Sequence, residues 1–415
     1  MPNMPPKDRL RVRALPSLRP VAEHRAAVAA LLSRTPVESR PLAACLGLVL
    51  AEDLHARISL PPFDNSAMDG YAVLADDVAD ASPESPVVLP VAEDVPAGRT
   101  DSPALRPGTA HRIMTGAPVP PGADAIVQVE FTDGGVERVA VHQPKEPGAH
   151  IRRAGEDVRA GARVLGAGTR LGAAELGLAA AVGAGELPVH RPPRVLVLST
   201  GSELVEPGKP LLHGQIYESN GVMLAAAVEQ AGCSAELLRF VPDDVEEFHA
   251  ALTPHLSTVD LVLTSGGVSA GAYEVVKDAF SGQGVEFVKV AMQPGMPQGA
   301  GVYRGVPVIT LPGNPVSSLV SFEVFVRPAL RAAAGDASPE RPARRARLTE
   351  ALRSAPGKRQ YRRGFHDADA GTVSVVGGPG SHLLSALTTS NCLMEIDEND
   401  TELVEGTEVT VLLTR

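Results

Sequence analysis

A glycine-rich segment in the middle of this 415-residue chain has the composition of an anion-binding loop. Residues 264–271 read TSGGVSAG, after an apolar run at 260–264 that predicts a buried strand and before a helical pattern that reaches residue 280. Glycines let the backbone approach a ligand closely, and free N–H groups at a helix start favour phosphate-like charge. Alone, the segment is equally compatible with an ordinary strand-to-helix turn. As a cradle, it would bind phosphate through Ser265, Gly266, Gly267 and Ser269.

Carboxylates follow several predicted strands of the same region. Glu203 follows the first strand, Asp243 the second, and Glu274 lies just beyond the glycine-rich loop. A doubly wound sheet brings such loops to one edge, and carboxylate oxygens beside phosphate are what Mg²⁺ prefers. Each carboxylate alone is more typical of a helix cap or a solvated surface, and Asp243 could simply cap the helix that follows it. Together, the three residues favour a metal site.

A rigid turn follows the last predicted strand of this region. Pro312, Gly313, Asn314 and Pro315 combine two residues of fixed φ with a glycine that permits unusual backbone angles. A plain turn is the simpler interpretation. The functional one is a stiff wall for a ligand pocket.

Alternating strands and helices must position these loops. Apolar runs predict strands at 194–199, 235–240, 260–264, 285–290 and 306–311, and periodic patterns predict helices at 220–231, 243–256 and 316–333. Asn220 is the expected N-cap of the first of these helices. Such alternation predicts a doubly wound, mainly parallel sheet with helices on both faces.

The remaining segments predict three further parts of an α/β multidomain chain. Val-rich runs broken by Pro, Gly and Asp at 55–150 indicate an inserted β-rich domain. Helices at 21–32 and 173–181 assign 1–54 and 151–190 to one discontinuous helical/linker domain. The α/β domain then spans 191–335. Short strands at 346–349, 373–376 and 408–413 predict a small C-terminal β domain over 343–415, a sheet or a barrel.

Composition narrows the classes of partner. The formal net charge is −11 and aromatic residues make up only 3%, which argues against nucleic acid. Three isolated cysteines without a CxxC pair fit a reducing compartment. No apolar stretch approaches the ~20 residues of a membrane span. We therefore expect a cytoplasmic protein that does not enter membranes.

Seven segments, in order along the chain, resemble the molybdopterin molybdenumtransferase family, which includes the E domain of gephyrin. They are PPFDNSAMDGYA (61–72), RIMTGAPVPPGADAIV (112–127), IRRAGEDV (151–158), STGSEL (199–204), TSGGVSAG (264–271), LPGNPVSS (311–318) and GSHLLSAL (380–387). The resemblance implies insertion of molybdenum from molybdate into adenylylated molybdopterin, with Mg²⁺-assisted release of AMP. It also implies a homodimer with a shared active site, and contacts with molybdopterin adenylyltransferase and molybdoenzymes.

Matching these motifs position by position assigns expected roles to individual residues. The resemblance implies catalytic roles for Asp64, Thr115, Glu203, Asp243 and Glu274, and we expect Lys289 to join them as a positive charge near the oxyanion. It implies substrate binding by Arg152, Asp157, Pro312 and Pro315, and places Arg363 and Ser381 at the oxyanion end of the site. Because the substrates are anionic, Arg152, Arg153, Lys289 and the basic run 358–363 are candidate cations. The alternative for that run is a solvated face.

The chain departs from the family pattern at three positions. Glu274 stands where the family commonly has Asp, which lengthens the carboxylate arm by one methylene. Gln293 and Met296 stand where many relatives have lysines, and Met296 cannot donate a hydrogen bond. We expect weaker binding of the oxyanion, or compensation by arginines of the last domain. A molybdate titration of Met296→Lys against the wild type tests this, and unchanged affinity in the variant contradicts it.

Two other functions compete with the insertase. A non-catalytic paralogue or scaffold would bind the pterin nucleotide or the cofactor and hand it on, and the missing lysines favour it. The related adenylyltransferase step shares the TSGG-type loop, but that enzyme type lacks the FDNSAMDG and TGAP segments. The retained carboxylates favour the insertase.

Overall fold

The computed structural model describes residues 18–241, 244–267 and 275–415. Their contacts group into two compact units. The larger unit falls within Met1–Glu38, Gly47–Ala51 and Val189–Arg415, and the smaller one within Ser39–Leu46 and Glu52–Pro188. The four-part division that the sequence predicts is finer than this and stays a prediction.

A six-stranded sheet forms the centre of the larger unit. Its spatial order is Ser234–Val241, Arg194–Thr200, Leu261–Ser265, Val306–Leu311, Pro297–Tyr303 and Val285–Lys289. The first four strands run parallel, and the last two add an antiparallel edge. Leu261–Ser265 is buried throughout, as expected for a strand covered on both faces. The predicted mainly parallel sheet is confirmed, with a mixed edge.

Helices cover both faces of this sheet, which confirms the doubly wound architecture. Val195 and Val197 pack toward helices Val21–Ala29, Asn220–Gln230 and Pro315–Ser321, whereas Leu196 and Leu198 pack toward Val245–Leu252 and Val275–Phe280. The alternation of sides follows from the two-residue period of a strand. Beyond Ser321 the chain continues as a π-helical turn, Phe322–Val326, and then as helix Arg327–Ala333.

Several local predictions need correction. Asn220 is the first residue of its helix, and Ser219 is the N-cap. Asp260 lies outside the strand, where its carboxylate accepts hydrogen bonds from the Arg191 guanidinium at 2.9 and 2.8 Å. The predicted helix at 316–333 is interrupted by the π-helical turn, and strand Pro297–Tyr303 was not predicted.

The C-terminal strands of the larger unit close into a small barrel. They are Ala343–Leu348, Arg359–Asp367, Thr372–Val375, Cys392–Ile396 and Glu408–Leu413. Closure follows because Arg359–Asp367 pairs with both Thr372–Val375 and Cys392–Ile396. Met292–Gln293 pairs in parallel with Arg359–Asp367, and Leu352–Arg353 pairs with Glu402–Leu403. Helix Ser385–Thr389 completes this part.

The smaller unit is built on a five-stranded sheet. Its order is Ala125–Gln128, Gly70–Val73, Ala110–Ile113, Val87–Val95 and Arg138–Val141. Short pairs join Asn65–Ser66 to Ile151–Arg152 and Leu54–His55 to Arg163–Leu165, and the unit's α-helix is Ala173–Ala181. Strands Val37–Pro41 and Glu186–His190 span the sequence boundaries between the units. No helix in the described parts of the chain has the length and apolar character needed to cross a membrane.

Candidate active site

A cleft of about 1220 Å³ lies in the larger unit, at the carboxyl ends of parallel strands. Its walls come from loops that follow three of those strands and from the segment that leads into helix Asn220–Gln230. The lining residues are 199–204, 216–220, 265–267 and 312–315, with Val275, Pro297 and Ser317. The structure therefore gathers the STGSEL, TSGG and PGNP segments around one space, as ligand sites in such sheets require.

The glycine-rich loop has a backbone conformation that favours glycine. Gly266 and Gly267 have φ values of +96° and +67°, in the region that side chains rarely adopt. A Cβ on Gly267 would lie 2.9 Å from the Cβ of Val276, so a side chain there would also collide. The amide of Gly266 donates to the carbonyl of Leu311 at 3.1 Å, which ties the loop to the next strand. Ser269 lies outside the described residues.

One of the three predicted metal ligands can be located. Glu203 is exposed on the cleft wall, and its carbonyl accepts a hydrogen bond from the amide of Ile216 at 3.0 Å. Asp243 and Glu274 lie outside the described residues, so the proposed triad stays a prediction. In the parts of the chain that are described, no group of three or more His, Cys, Asp or Glu is arranged to hold a metal.

Sequence reasoning missed a second carboxylate in the cleft. Glu218 is only 1% exposed, and its Oε1 accepts hydrogen bonds from Ser199 Oγ at 2.8 Å and from the Gly221 amide at 2.6 Å. These bonds connect the end of strand Arg194–Thr200 to the start of helix Asn220–Gln230. Oε2 is buried and has no partner among the described residues, a costly state for a carboxylate oxygen.

Asn220 joins three of the loops instead of capping its helix. Its Nδ2 donates to Ser265 Oγ at 2.8 Å and to the carbonyl of Gly313 at 2.6 Å. In the sequence, an acid and an amide ahead of a helix are typical of a cap, so neither Asn220 nor Glu218 carried a signal for this role.

The PGNP turn is held from the side of the barrel. Asn314 Nδ2 donates to Ser381 Oγ at 3.0 Å, and the Val316 amide donates to the Ser381 carbonyl at 3.2 Å. Pro315 is the first residue of its helix, a position where the missing N–H has no helical partner to lose. The structure thus places Ser381 directly against the predicted wall of the pocket.

Arg363 supports the loop that carries Ser381. Its guanidinium is nearly buried and donates to the carbonyls of Val376, Gly378 and Gly380. Burial lowers the pKa of Arg363. The pKa of Arg362 is also lowered, mainly by burial and less by the positive charge of Arg363. The solvated face, which is the alternative for the basic run, does not apply to the buried Arg363, and Arg362 is half-buried.

The other basic and substituted positions differ in their surroundings. Arg359 makes ion pairs with Glu395, Asp397 and Glu398. Lys289 is exposed at the end of the edge strand, opposite Pro297 of the cleft lining. Gln293 Oε1 accepts from Gln360 Nε2 at 3.1 Å, and Met296 is half-buried.

Within the smaller unit, the predicted residues adjoin one another. Asp64 accepts from the Ala154 amide at 2.8 Å and from Arg153 Nη1 at 2.6 Å, and these bonds lower its pKa. Arg152 stands opposite Asn65 in the strand pair, and the Gly116 amide next to Thr115 donates to the Ser66 carbonyl at 2.8 Å.

Thr115 and Asp157 are the remaining predicted residues of the smaller unit. Thr115 donates through its amide and its hydroxyl to Asp69 Oδ1, at 2.6 and 2.8 Å, and the two bonds lower the pKa of Asp69. Asp69 belongs to the PPFDNSAMDGYA segment, but nothing in the sequence assigns it a role of its own. Asp157 is exposed, and its amide donates to the Leu60 carbonyl at 3.0 Å.

Models of three protein-family regions match successive parts of the chain. The MoeA N-terminal region (domain I and II) matches residues 19–183, a probable molybdopterin binding domain matches 196–332, and the MoeA C-terminal region (domain IV) matches 345–414. The range matched by the molybdopterin binding domain thus contains most of the sheet that carries the cleft.

Full-length relatives narrow this class to one family. Molybdopterin molybdenumtransferase 2 of Mycobacterium tuberculosis (strain ATCC 25618 / H37Rv) is 57% identical over 401 residues, covering 95% of this chain and 99% of that protein. Molybdopterin molybdenumtransferase of Haemophilus influenzae is 37% identical, covering 88% and 90%. A molybdopterin biosynthesis MoeA protein of Pyrococcus horikoshii OT3 has a TM-score of 0.80 at 31% identity, covering 96% and 100%. The chain belongs to the molybdopterin molybdenumtransferase family, a family of transferases of molybdenum cofactor biosynthesis.

Proposed function

We propose that this protein inserts molybdenum from molybdate into adenylylated molybdopterin, with release of AMP. The observation that carries the proposal is the convergence of Gly266, Gly267 and Glu203 on one cleft of about 1220 Å³. The glycine backbone suits a diphosphate, because residues without a side chain let the ligand approach the main chain closely. Membership of the family supports the same reaction.

The donor set of the cleft fits Mg²⁺. Its described lining offers carboxylate, hydroxyl and carbonyl oxygens and contains neither His nor Cys. Glu203, with Asp243 and Glu274, would hold the ion, which when bound neutralises charge on the phosphate oxygens. The described lining also contains no Lys or Arg. An anionic substrate therefore needs positive charge from a bound ion or from residues outside this lining.

The protein's own residues would orient the substrate around that ion. The diphosphate would lie against the backbone of Gly266 and Gly267, and Asn220 fixes the loop by bonding to Ser265 and Gly313. The PGNP turn, with Asn314 bonded to Ser381, forms the opposite wall.

The proposal extends to assembly and location. We propose a cytoplasmic homodimer in which Asp64, Thr115 and Arg152 of one subunit complete the cleft of the other, as the family resemblance implies. Molybdopterin adenylyltransferase would supply the adenylylated substrate, and molybdoenzymes would receive the cofactor.

A reconstituted assay tests the reaction. Wild-type protein with adenylylated molybdopterin, Mg²⁺ and molybdate should release AMP in step with cofactor formation. Glu203→Gln keeps the size of the side chain but removes its charge, and should lower turnover by about 100-fold. Glu206→Gln is the matched control, since Glu206 pairs with Lys209 and Arg239 outside the cleft lining and such exposed pairs contribute little.

One observation favours a second candidate. Gln293 bonds to Gln360 where many relatives have a lysine, so this chain has less positive charge at that point. A non-catalytic carrier of the pterin nucleotide or cofactor would tolerate that loss. Tight binding of adenylylated molybdopterin without AMP release would select the carrier and contradict the insertase.

A further inference from the structure

The cleft has an apolar side that the phosphate cradle does not explain. Ile216 is 55% exposed and Tyr217 is 44% exposed, and both belong to the cleft lining. They are the exposed large apolar side chains of the described lining; the rest is mainly glycine, serine, proline and carboxylate. The free-energy cost of leaving two such side chains in water grows with their exposed apolar area. A ligand that covers them therefore gains affinity.

The tyrosine is unusual for this chain. Three other described tyrosines, Tyr71, Tyr303 and Tyr361, are at most 2% exposed and belong to cores. Among the tyrosines whose placement is described, Tyr217 is the exposed one. An aromatic ring at the edge of a phosphate-binding cleft is a stacking surface for planar rings.

The segment that carries the two side chains is held in place. Ile216–Tyr217 pairs in parallel with Leu204–Val205, and the Glu218 amide donates to the Val205 carbonyl at 2.9 Å. Tyr217 Oη donates to the Lys209 carbonyl at 2.9 Å. Glu218, the residue after Tyr217, is itself fixed by the hydrogen bonds of its buried carboxylate. Such a face loses little conformational entropy when a ligand binds it.

We propose that Ile216 and Tyr217 form a ring-binding face for the planar nitrogen heterocycle of a phosphate-bearing substrate. This inference rests on the proposed function, because that function supplies a ligand with both a diphosphate and rings. The heterocycle is either the nucleobase or the pterin, and both present the same flat π surface. The face sets which phosphate ligands the cleft accepts, whereas the glycine-rich loop would bind phosphate whatever is attached to it.

The test measures binding of three probes to the full-length protein in the presence of Mg²⁺. AMP carries a base and a phosphate, inorganic pyrophosphate carries no ring, and pterin-6-carboxylate carries the other ring system. Tyr217→Ala should weaken binding of at least one ring-bearing probe by about 5- to 100-fold, the range for loss of one stacked base. Pyrophosphate binding should change by less than about twofold. The ring-bearing probe that is weakened identifies the heterocycle.

Matched variants separate the ring from the rest of the loop. Tyr217→Phe keeps the ring and loses the bond to Lys209, so it should bind nearly as the wild type does. Leu212→Ala removes a side chain that is 72% exposed but lies outside the cleft lining, and should have no effect. Ile216→Ala should act in the same direction as Tyr217→Ala.

Each contrary outcome has a distinct meaning. Equal weakening of pyrophosphate, or no weakening of either ring-bearing probe, overturns the ring-binding face but leaves the proposed function standing. Dissociation of an oligomer by Tyr217→Ala, with probe affinities unchanged, assigns the surface to a second copy of the chain and also overturns it. Failure of the wild type to bind AMP, pyrophosphate or adenylylated molybdopterin overturns both proposals.

Discussion

At the scale of single residues, burial disfavours the charged form of His24 in the folded protein. Its ring is fully buried, meets Phe325 edge to face at 4.8 Å between centroids, and has no hydrogen-bond partner among the described residues. Burial first, and then the positive charge of Arg19, lowers its pKa to about 4, against the opposing effect of Glu286. The unfolded chain takes up this proton near pH 6.5, and the folded chain does not.

The consequence is a loss of stability in mild acid. Between pH 6.5 and pH 4 the unfolded state binds more protons, so the free energy of unfolding falls as the pH falls. Through this group alone the loss between pH 7 and pH 5 is about 2 kcal/mol. His24→Leu should remove that part of the pH dependence, measured by denaturant unfolding at the two pH values. His213→Leu, at an exposed side chain, is the control. An unaltered pH dependence in His24→Leu would show that the ring is charged in the folded protein.

Residue roles in the cleft are predictable only where a motif displays them. Glu203 stands in the STGSEL segment directly after a strand, and only together with Asp243 and Glu274 does its position indicate chemistry. Glu218 precedes a helix, where an acid is commonplace, and its partners Ser199 and Gly221 come together only when the chain folds. Tyr217 likewise lies in a two-residue strand, Ile216–Tyr217, that the sequence does not predict.

At the scale of elements, the strand Pro297–Tyr303 shows why one edge of the sheet was missed. Its residues Gly299 and Gly301 disfavour a strand in a sequence-based prediction. The structure requires both glycines, since a Cβ on Gly299 would lie 2.1 Å from Thr310 Oγ1 and one on Gly301 would lie 2.1 Å from the Gly284 carbonyl oxygen. The apolar strand Val306–Leu311 was predicted to the residue, because nothing in its packing opposes its local preference. Packing exceptions of this kind cannot be predicted from periodicity.

The start of helix Val245–Leu252 separates a structural acid from a proposed catalytic one. Asp244 is the N-cap, and its Oδ1 accepts from the amides of Glu246 and Glu247 at 2.9 and 3.0 Å. Asp244→Ala should lower the free energy of unfolding by about 1 kcal/mol, while Asp244→Ser, which can still cap, should cost much less. Asp243→Asn should instead reduce AMP release without reducing stability. Loss of stability in Asp243→Asn, with AMP release retained, would reverse the two assignments.

At the scale of the whole molecule, the proposed shared site can be tested by mixing two inactive proteins. Asp64 belongs to the smaller unit and Glu203 to the larger one, and Asp64 is held by Arg153 and Ala154 without help from the cleft. Asp64→Ala and Glu203→Gln therefore impair separate parts of the chain. If each active site combines the smaller unit of one subunit with the cleft of its partner, a mixed dimer contains one site with both defects and one site with neither.

The expected recovery follows from the statistics of subunit exchange. Random mixing of equal amounts makes about half of the dimers mixed, and each mixed dimer has one intact site of two, so activity should return to about a quarter of the wild-type value. The measurement is AMP release before and after the two variants are unfolded and refolded together, with each variant refolded alone as the control. A site formed within one subunit predicts no recovery, because every chain in the mixture carries a defect. The activity that co-refolding restores should be lost again on dilution, because the mixed dimers dissociate. Such a loss would show that the activity belongs to the assembled dimer and not to either chain alone.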